Sequence, residues 1–232
     1  MYSRNITILI NWILENLIPP FFRDSYIFMH FIIYIVYGKT TKYVMEFKDK
    51  YPNLTDNEIN HYYDLIKDAP INKRETDLNS KCVKYILEHI SGTKVLDASC
   101  GRGYLIKKIH NLGYYVTGSD IVINNIKKER LEIVRADINN LPFESKSFDT
   151  VICTHTLEHI RNHKKAIDEL CRVTKKRLII VIPCQREYKY TPDLHVNFIP
   201  YMYRFKEFIG IPDAEYFKLG GDFVCIINFN IN

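Results

Sequence analysis

The chain has 232 residues, enough for one α/β domain with an appendage and short for two full domains. Hydrophobic residues make up 47% and charged residues 25%, the balance of an ordinary globular protein. Against 27 acidic residues stand 32 basic ones, a net charge of +5 with no basic block, so a nucleic-acid-binding arm is not expected. The six cysteines, Cys82, Cys100, Cys153, Cys171, Cys184 and Cys225, form no Cys-x-x-Cys pair and no zinc spacing. Several lie in apolar runs, where a free thiol packs as a small core residue, which points to a reducing, cytosol-like compartment.

Two apolar stretches open the chain, residues 6–18 and 26–37, split by Pro19-Pro20 and Arg23-Asp24. Each is shorter than the ~20 residues a spanning helix needs. Asn11, Glu15 and Asn16 interrupt the first, and no small-residue cleavage site follows it, so a signal peptide is not expected. Helices capping the main domain, interfacial membrane helices and a membrane anchor all remain open, with peripheral membrane contact placed in residues 5–37. Residues 39–75 are charged and tyrosine-rich. There Thr55 with Glu58 three residues on forms a capping box, and Ile59, Tyr62, Tyr63 and Ile66 fall at helical spacing as a core-packing stripe. Residues 1–75 are thus expected as an N-terminal helical extension, and 76–232 as the main domain.

From about residue 78 strand and helix alternate. A helix over 82–90 is stopped near Gly92, and a strand ends at Val95-Leu96-Asp97. A turn with Gly101 and Gly103 follows, then a helix over 104–111 closed by Gly113. Residues 114–120 form a second strand ending in Asp120; a short helix precedes a third over 131–137 ending in Asp137. Residues 148–154 are the fourth strand, 164–173 an amphipathic helix, and 177–183 an apolar fifth strand. The tail reads as a helix at about 199–209 and two strands hinged at Gly220-Gly221. Apolar central strands alternating with helices predict a parallel sheet with helices on both faces, and the closing hairpin adds an antiparallel strand at the edge.

In an open α/β sheet, ligands sit beyond the carboxyl ends of the strands. Asp97, Asp120 and Asp137 lie at three such ends, behind a glycine turn whose helix N-terminus offers amide donors to a ligand. A carboxylate ending the second strand is placed to accept both hydroxyls of a ribose.

These segments resemble a class I S-adenosylmethionine (SAM)-dependent methyltransferase of the small-molecule type, over roughly residues 78–232. Residues 95–103, Val-Leu-Asp-Ala-Ser-Cys-Gly-Arg-Gly, resemble the family's glycine loop. Asp120 matches its ribose-binding acid, and Ala136-Asp137-Ile138 with Leu141-Pro142-Phe143 its adenine-binding segment. Ser147-Phe148-Asp149 through Thr154-His155-Thr156-Leu157-Glu158-His159-Ile160 matches the fourth-strand motif. The resemblance implies a Rossmann-like, doubly wound, mostly parallel seven-stranded sheet with an antiparallel edge strand, and SAM as cofactor. It implies that Asp97 and the Gly101–Gly103 backbone hold the methionine part, Asp120 the ribose, and Asp137 with Ile138 the adenine. Ile121 packs on the base, with Ser99 and Thr154 lining the cofactor. Ser99 departs from the family's first loop glycine. A positive φ there costs about 1 kcal/mol or more, so weakened rather than abolished cofactor binding is expected.

Methyl transfer is an in-line displacement, in which a base is needed only when the acceptor is a hydroxyl. The fourth strand ends in Thr154-His155, not in the Asn/Asp-Pro-Pro-aromatic motif of DNA amino-methylases or the Asp of metal-dependent catechol enzymes. No metal and no nucleic-acid acceptor are therefore expected. His155, His159 and His163 recur every four residues, but His159 belongs to the family motif and a break near Asn162 leaves His163 to solvent. His155, directly after the fourth strand, and His195, in the segment after the fifth that lids the acceptor pocket in relatives, are the candidate bases. The segment 18–25, Ile-Pro-Pro-Phe-Phe-Arg-Asp-Ser, resembles leaders of methyltransferase-like proteins found with glycan-assembly enzymes. O-methylation of a sugar, glycan or lipid-linked glycan intermediate is the expectation. Another soluble small-molecule acceptor, as in quinone or polyketide methylation, and a non-catalytic scaffold on the same fold are the alternatives. Intact Asp97, Asp120 and Asp137 argue against the scaffold.

Overall fold

The computed structural model describes residues 4–66, 69, 74–123, 131–191 and 193–229. The short helix expected just before Leu131 lies outside them. The chain divides into two compact units, Met1–Arg74 with Gln185–Phe198, and Glu75–Cys184 with Ile199–Asn232.

In the second unit, seven strands among the described residues form one sheet in the order β3-β2-β1-β4-β5-β7-β6. They are β1 Lys94–Ala98, β2 Tyr115–Asp120, β3 Glu132–Arg135, β4 Phe148–Thr154, β5 Thr174–Pro183, β6 Glu215–Leu219 and β7 Asp222–Asn228. The first five are parallel. β7 runs antiparallel between β5 and β6, so that β6 takes the edge. The reason is the Gly220-Gly221 turn, too short for anything but a hairpin.

Strand alternation sends successive side chains to opposite faces, and this builds two cores. Leu178, Ile180 and Ile182 of β5 join one cluster with Leu170, Phe205 and Phe223. Ile179 and Val181 join the other with Ile86, Ile106 and Ile109. Helices α8 (His163–Val173) and α9 (Met202–Ile209) supply the first face, α6 (Ser80–Glu88) and α7 (Tyr104–Asn111) the second. Asn162 caps α8, its side chain accepting from the Lys165 amide, which is the break expected there. Instead of facing open solvent, His163 begins α8 with its ring stacked 3.9 Å from that of Phe208. Gly118, in the middle of β2, faces the Ile106 side chain of α7. A Cβ there would run into the Ile106 side chain and lie 2.9 Å from Cys100 Sγ. The missing side chain leaves room for Ile106 of α7 against the strand.

The first unit is helical: α1 Arg4–Asn16, α2 Pro20–Arg23, α3 Tyr26–Tyr37, α4 Thr41–Lys50 and α5 Asp56–Ile66. The capping box forms before α5: the Thr55 amide donates to Glu58 Oε2 at 2.7 Å, and the Glu58 amide donates back to Thr55 Oγ1 at 3.4 Å. Its core joins Met29, Ile33 and Tyr37 of α3 to Phe47, Tyr62 and Ile66, with Leu194 from the inserted segment 185–198. That segment is tied to the helices by charge. Arg186 N donates to Glu15 Oε1 at 3.2 Å, and Lys189 N to Asp24 Oδ1 at 3.1 Å. The buried Arg23 guanidinium lies 4.8 Å from the Tyr188 ring centroid and donates to the Leu14 carbonyl at 3.2 Å.

Candidate active site

The sheet order reverses between β1 and β4, which places a crevice beyond their carboxyl ends. Asp97 stands at that end of β1, its residue 2% exposed. Burial, and then the nearby Asp120 charge, push its carboxyl up to about 8. The chain then turns through three left-handed positions, Ser99 at φ +64, Gly101 at +54 and Gly103 at +76. Gly103 is the N-cap of α7. The turn is stitched to β2. Cys100 N donates to the Ser119 carbonyl at 2.9 Å, and Gly101 N to Asp120 Oδ2 at 2.8 Å. Asp120 Oδ1 accepts from Val122 N at 3.0 Å. Burial raises Asp120 as well, against the pull of these amides. Burial and the charges of Asp97 and Asp120 raise the Cys100 thiol, which packs with Leu105 and Ile106 in the second core.

Ile121, at 44% exposure, follows Asp120. Sequence reading ends the third strand at Asp137, but β3 stops at Arg135. Asp137 sits instead in a turn, its carbonyl accepting from Asn140 N and its Oδ1 from Asn139 N at 2.8 Å, because a local amide outcompetes further strand pairing. Ile138 is buried in the core, so its side chain is committed there.

Thr154 closes β4, and the His155 amide extends the ladder to the Val181 carbonyl at 2.9 Å. His155 has φ +50, a strained conformation for a non-glycine residue. Its ring lies between two carboxylates: Nδ1 is 3.4 Å from Glu158 Oε1 and Nε2 is 3.4 Å from Asp222 Oδ2. Asp222 also accepts from Asn79 Nδ2 at 2.7 Å, and Asn79 caps α6 by accepting from Cys82 N at 3.0 Å. His155 is thus engaged at both ring nitrogens.

His195 belongs to the first unit. Its Nδ1 is 2.8 Å from Gln185 Oε1, and Gln185 Nε2 donates to Asp193 Oδ2 at 2.9 Å. A carboxylate only accepts, so the amide nitrogen faces Asp193 and its oxygen faces the ring. In the neutral imidazole the proton therefore sits on Nδ1.

Among the predicted site residues, Asp97, Ser99, Gly101, Gly103 and Asp120 converge on one rim of the second unit. Asp137 and Ile138 stand past β3 on the same edge, and Thr154 and His155 end β4. The partners Glu158, Asp222, Asn79, Gln185 and Asp193 were missed by sequence reading. Glu158 had a signal in its i+3 spacing from His155. Asp222, in β7, had none.

Residues 96–182 match the methyltransferase domain family. An uncharacterized protein of Methanocaldococcus jannaschii is 38% identical over 94 residues, 38% of this chain and 40% of its own length. The demethylmenaquinone methyltransferase of Clavibacter sepedonicus is 31% identical over 101 residues, 40% of this chain and 41% of its own length. The chain thus spans about two fifths of the length of these curated relatives. A solved protein of Pyrococcus horikoshii OT3 shares the fold with a TM-score of 0.53 at 20% identity, over 72% of this chain and 98% of its own.

Proposed function

We propose that the chain, whose residues 96–182 match the methyltransferase domain family, transfers a methyl group from SAM to an acceptor hydroxyl. The observation that carries the reading is the glycine turn bound to Asp120 beside a buried Asp97 carboxyl. The residues fit the cofactor. Among the described residues no ion pair forms to Asp97, so the α-ammonium of a methionine moiety suits it. A Cβ on Gly101 would meet nothing within 4 Å, which leaves the turn open to a ligand. Asp97 and the Gly101–Gly103 amides would hold the methionine part, Asp120 the ribose, and Asp137 with the Ile138 backbone the adenine, with Ile121 against the base. Ser99 and Thr154 line the same rim. When bound, the sulfonium supplies an electrophilic methyl.

His195, its Nδ1 2.8 Å from Gln185 Oε1, is the base this reading assigns to the hydroxyl proton. His155, clasped by Glu158 and Asp222, is a positioning residue that fixes the end of β4. A sugar, glycan or lipid-linked glycan intermediate is the acceptor class, with peripheral membrane contact through residues 5–37. The likeness to a demethylmenaquinone methyltransferase favours, as a second reading, a quinone-like acceptor.

Incubation with radiolabelled SAM and fractionated nucleotide-sugars, glycolipids and quinones tests this. Label is expected in a glycan or glycolipid fraction, and label in quinones alone would select the second reading. His195→Ala should cut turnover about 10²- to 10⁴-fold with SAM affinity unchanged. Calorimetry showing no SAM binding to the wild-type chain would overturn the whole reading.

A further inference from the structure

Helix α3 is apolar on nearly every side. Met29, Ile33 and Tyr37 are buried in the core of the first unit, while Ile27, Phe31 and Ile35, at the i, i+4, i+8 spacing of a second face, are 82%, 67% and 58% exposed. Trp12 of α1, Leu17 just past its end and Phe21 of α2 are likewise 52%, 62% and 70% exposed. A helix apolar all round requires a partner for its outer face, and exposed side chains of this size in consecutive helices exceed ordinary surface scatter.

We propose that the outward faces of α1, α2 and α3 dock on an anionic lipid bilayer, lying in its interface without crossing it. This deepens the lipid-linked acceptor reading above, on which it rests for the acceptor alone. Charge selects the bilayer. Besides His30, residues 8–37 contain three acidic or basic side chains, Glu15, Arg23 and Asp24, and all three bond within the unit. Glu15 accepts from Arg186 N, Asp24 from Lys189 N, and Arg23 is buried against the Leu14 carbonyl and the Tyr188 ring. Just past α3, Lys39 and Lys42 are exposed, where they meet lipid phosphates. Along α3, Tyr26, His30 and Tyr34 stack successively at 5.5 and 6.2 Å, a ridge of polar-tipped rings of the kind that settles at headgroup level. At 13 and 12 residues, α1 and α3 reach about 20 and 18 Å, short of the roughly 30 Å hydrocarbon core. Among the described residues no helix is long and apolar enough to cross a membrane.

Trp12 is the chain's single tryptophan, so its emission reports on this face alone. The full chain is floated with vesicles of phosphatidylcholine and of phosphatidylcholine with phosphatidylglycerol. It should float with the anionic vesicles and its emission should shift to the blue. The double variant I27E/F31E should lose roughly tenfold or more of that binding, and K39E/K42E should lose binding to anionic vesicles selectively. Both alter exposed residues, and unchanged SAM calorimetry identifies folded protein. Wild-type protein left in the soluble fraction with unshifted emission for both vesicles would overturn the proposal. So would undiminished binding of I27E/F31E, or a wild-type dimer in light scattering that I27E/F31E makes monomeric, which would show a second copy covering the face. Vesicle binding needs no turnover, so its failure is distinct from a failure of the methyltransferase reading.

Discussion

At Ser99 the backbone holds φ at +64, where a Cβ crowds the following carbonyl at a cost of about 1–2 kcal/mol. Glycine removes that cost and returns about 0.4–1 kcal/mol of it as chain entropy in the unfolded state. Ser99→Gly should therefore stabilise the protein by roughly 0.5–1 kcal/mol in urea unfolding and tighten SAM binding; a destabilised variant would show that the hydroxyl holds the turn. The residues of this turn were legible in the sequence because their roles are local: the strand end, the glycines and the acids follow one another within 24 positions. The surroundings of His155 were not legible. A candidate base by position, it is clasped by Glu158 and by Asp222, and the second partner is 67 residues away.

Among the elements, α7 depends on one missing side chain. Gly118→Ala drives a methyl into the Ile106 side chain and against Cys100 Sγ, an overpacking worth about 1–3 kcal/mol. Since α7 begins at the glycine turn, the variant should also lose SAM affinity; calorimetry and thermal unfolding measure both, and wild-type values in each would refute the tight packing. Asn79→Ala removes the cap of α6 and a donor to the buried Asp222, so a loss of about 2 kcal/mol is expected in urea unfolding. Strand and helix identities follow from periods of 2 and 3.6, which composition carries openly. The early stop of β3 escaped that reading because the Asp137 turn bonds within the same apolar-polar pattern.

Across the whole molecule, Asp97 makes stability depend on pH. Its folded pKa of about 8 lies above the unfolded value near 3.9, so the native state binds the extra proton. The contribution is fully present below pH ~4 and is lost as pH rises through about 8, on the order of a few kcal/mol. Thermal unfolding without ligand should show that decline, and Asp97→Asn should flatten it while weakening SAM binding at least about tenfold; an unchanged pH profile would mean that Asp97 is charged and compensated in the native state. The sequence by itself determined the alternation of elements, the glycine turn, the row of acids and the two apolar stretches, because each is written in neighbouring residues. Tertiary structure alone decided which charges meet. It placed β7 between β5 and β6, brought Asp222 to His155, and bonded the charges of residues 8–37 to other groups of the first unit. Pairings between distant segments depend on how the chain packs, and packing is settled by the whole core together.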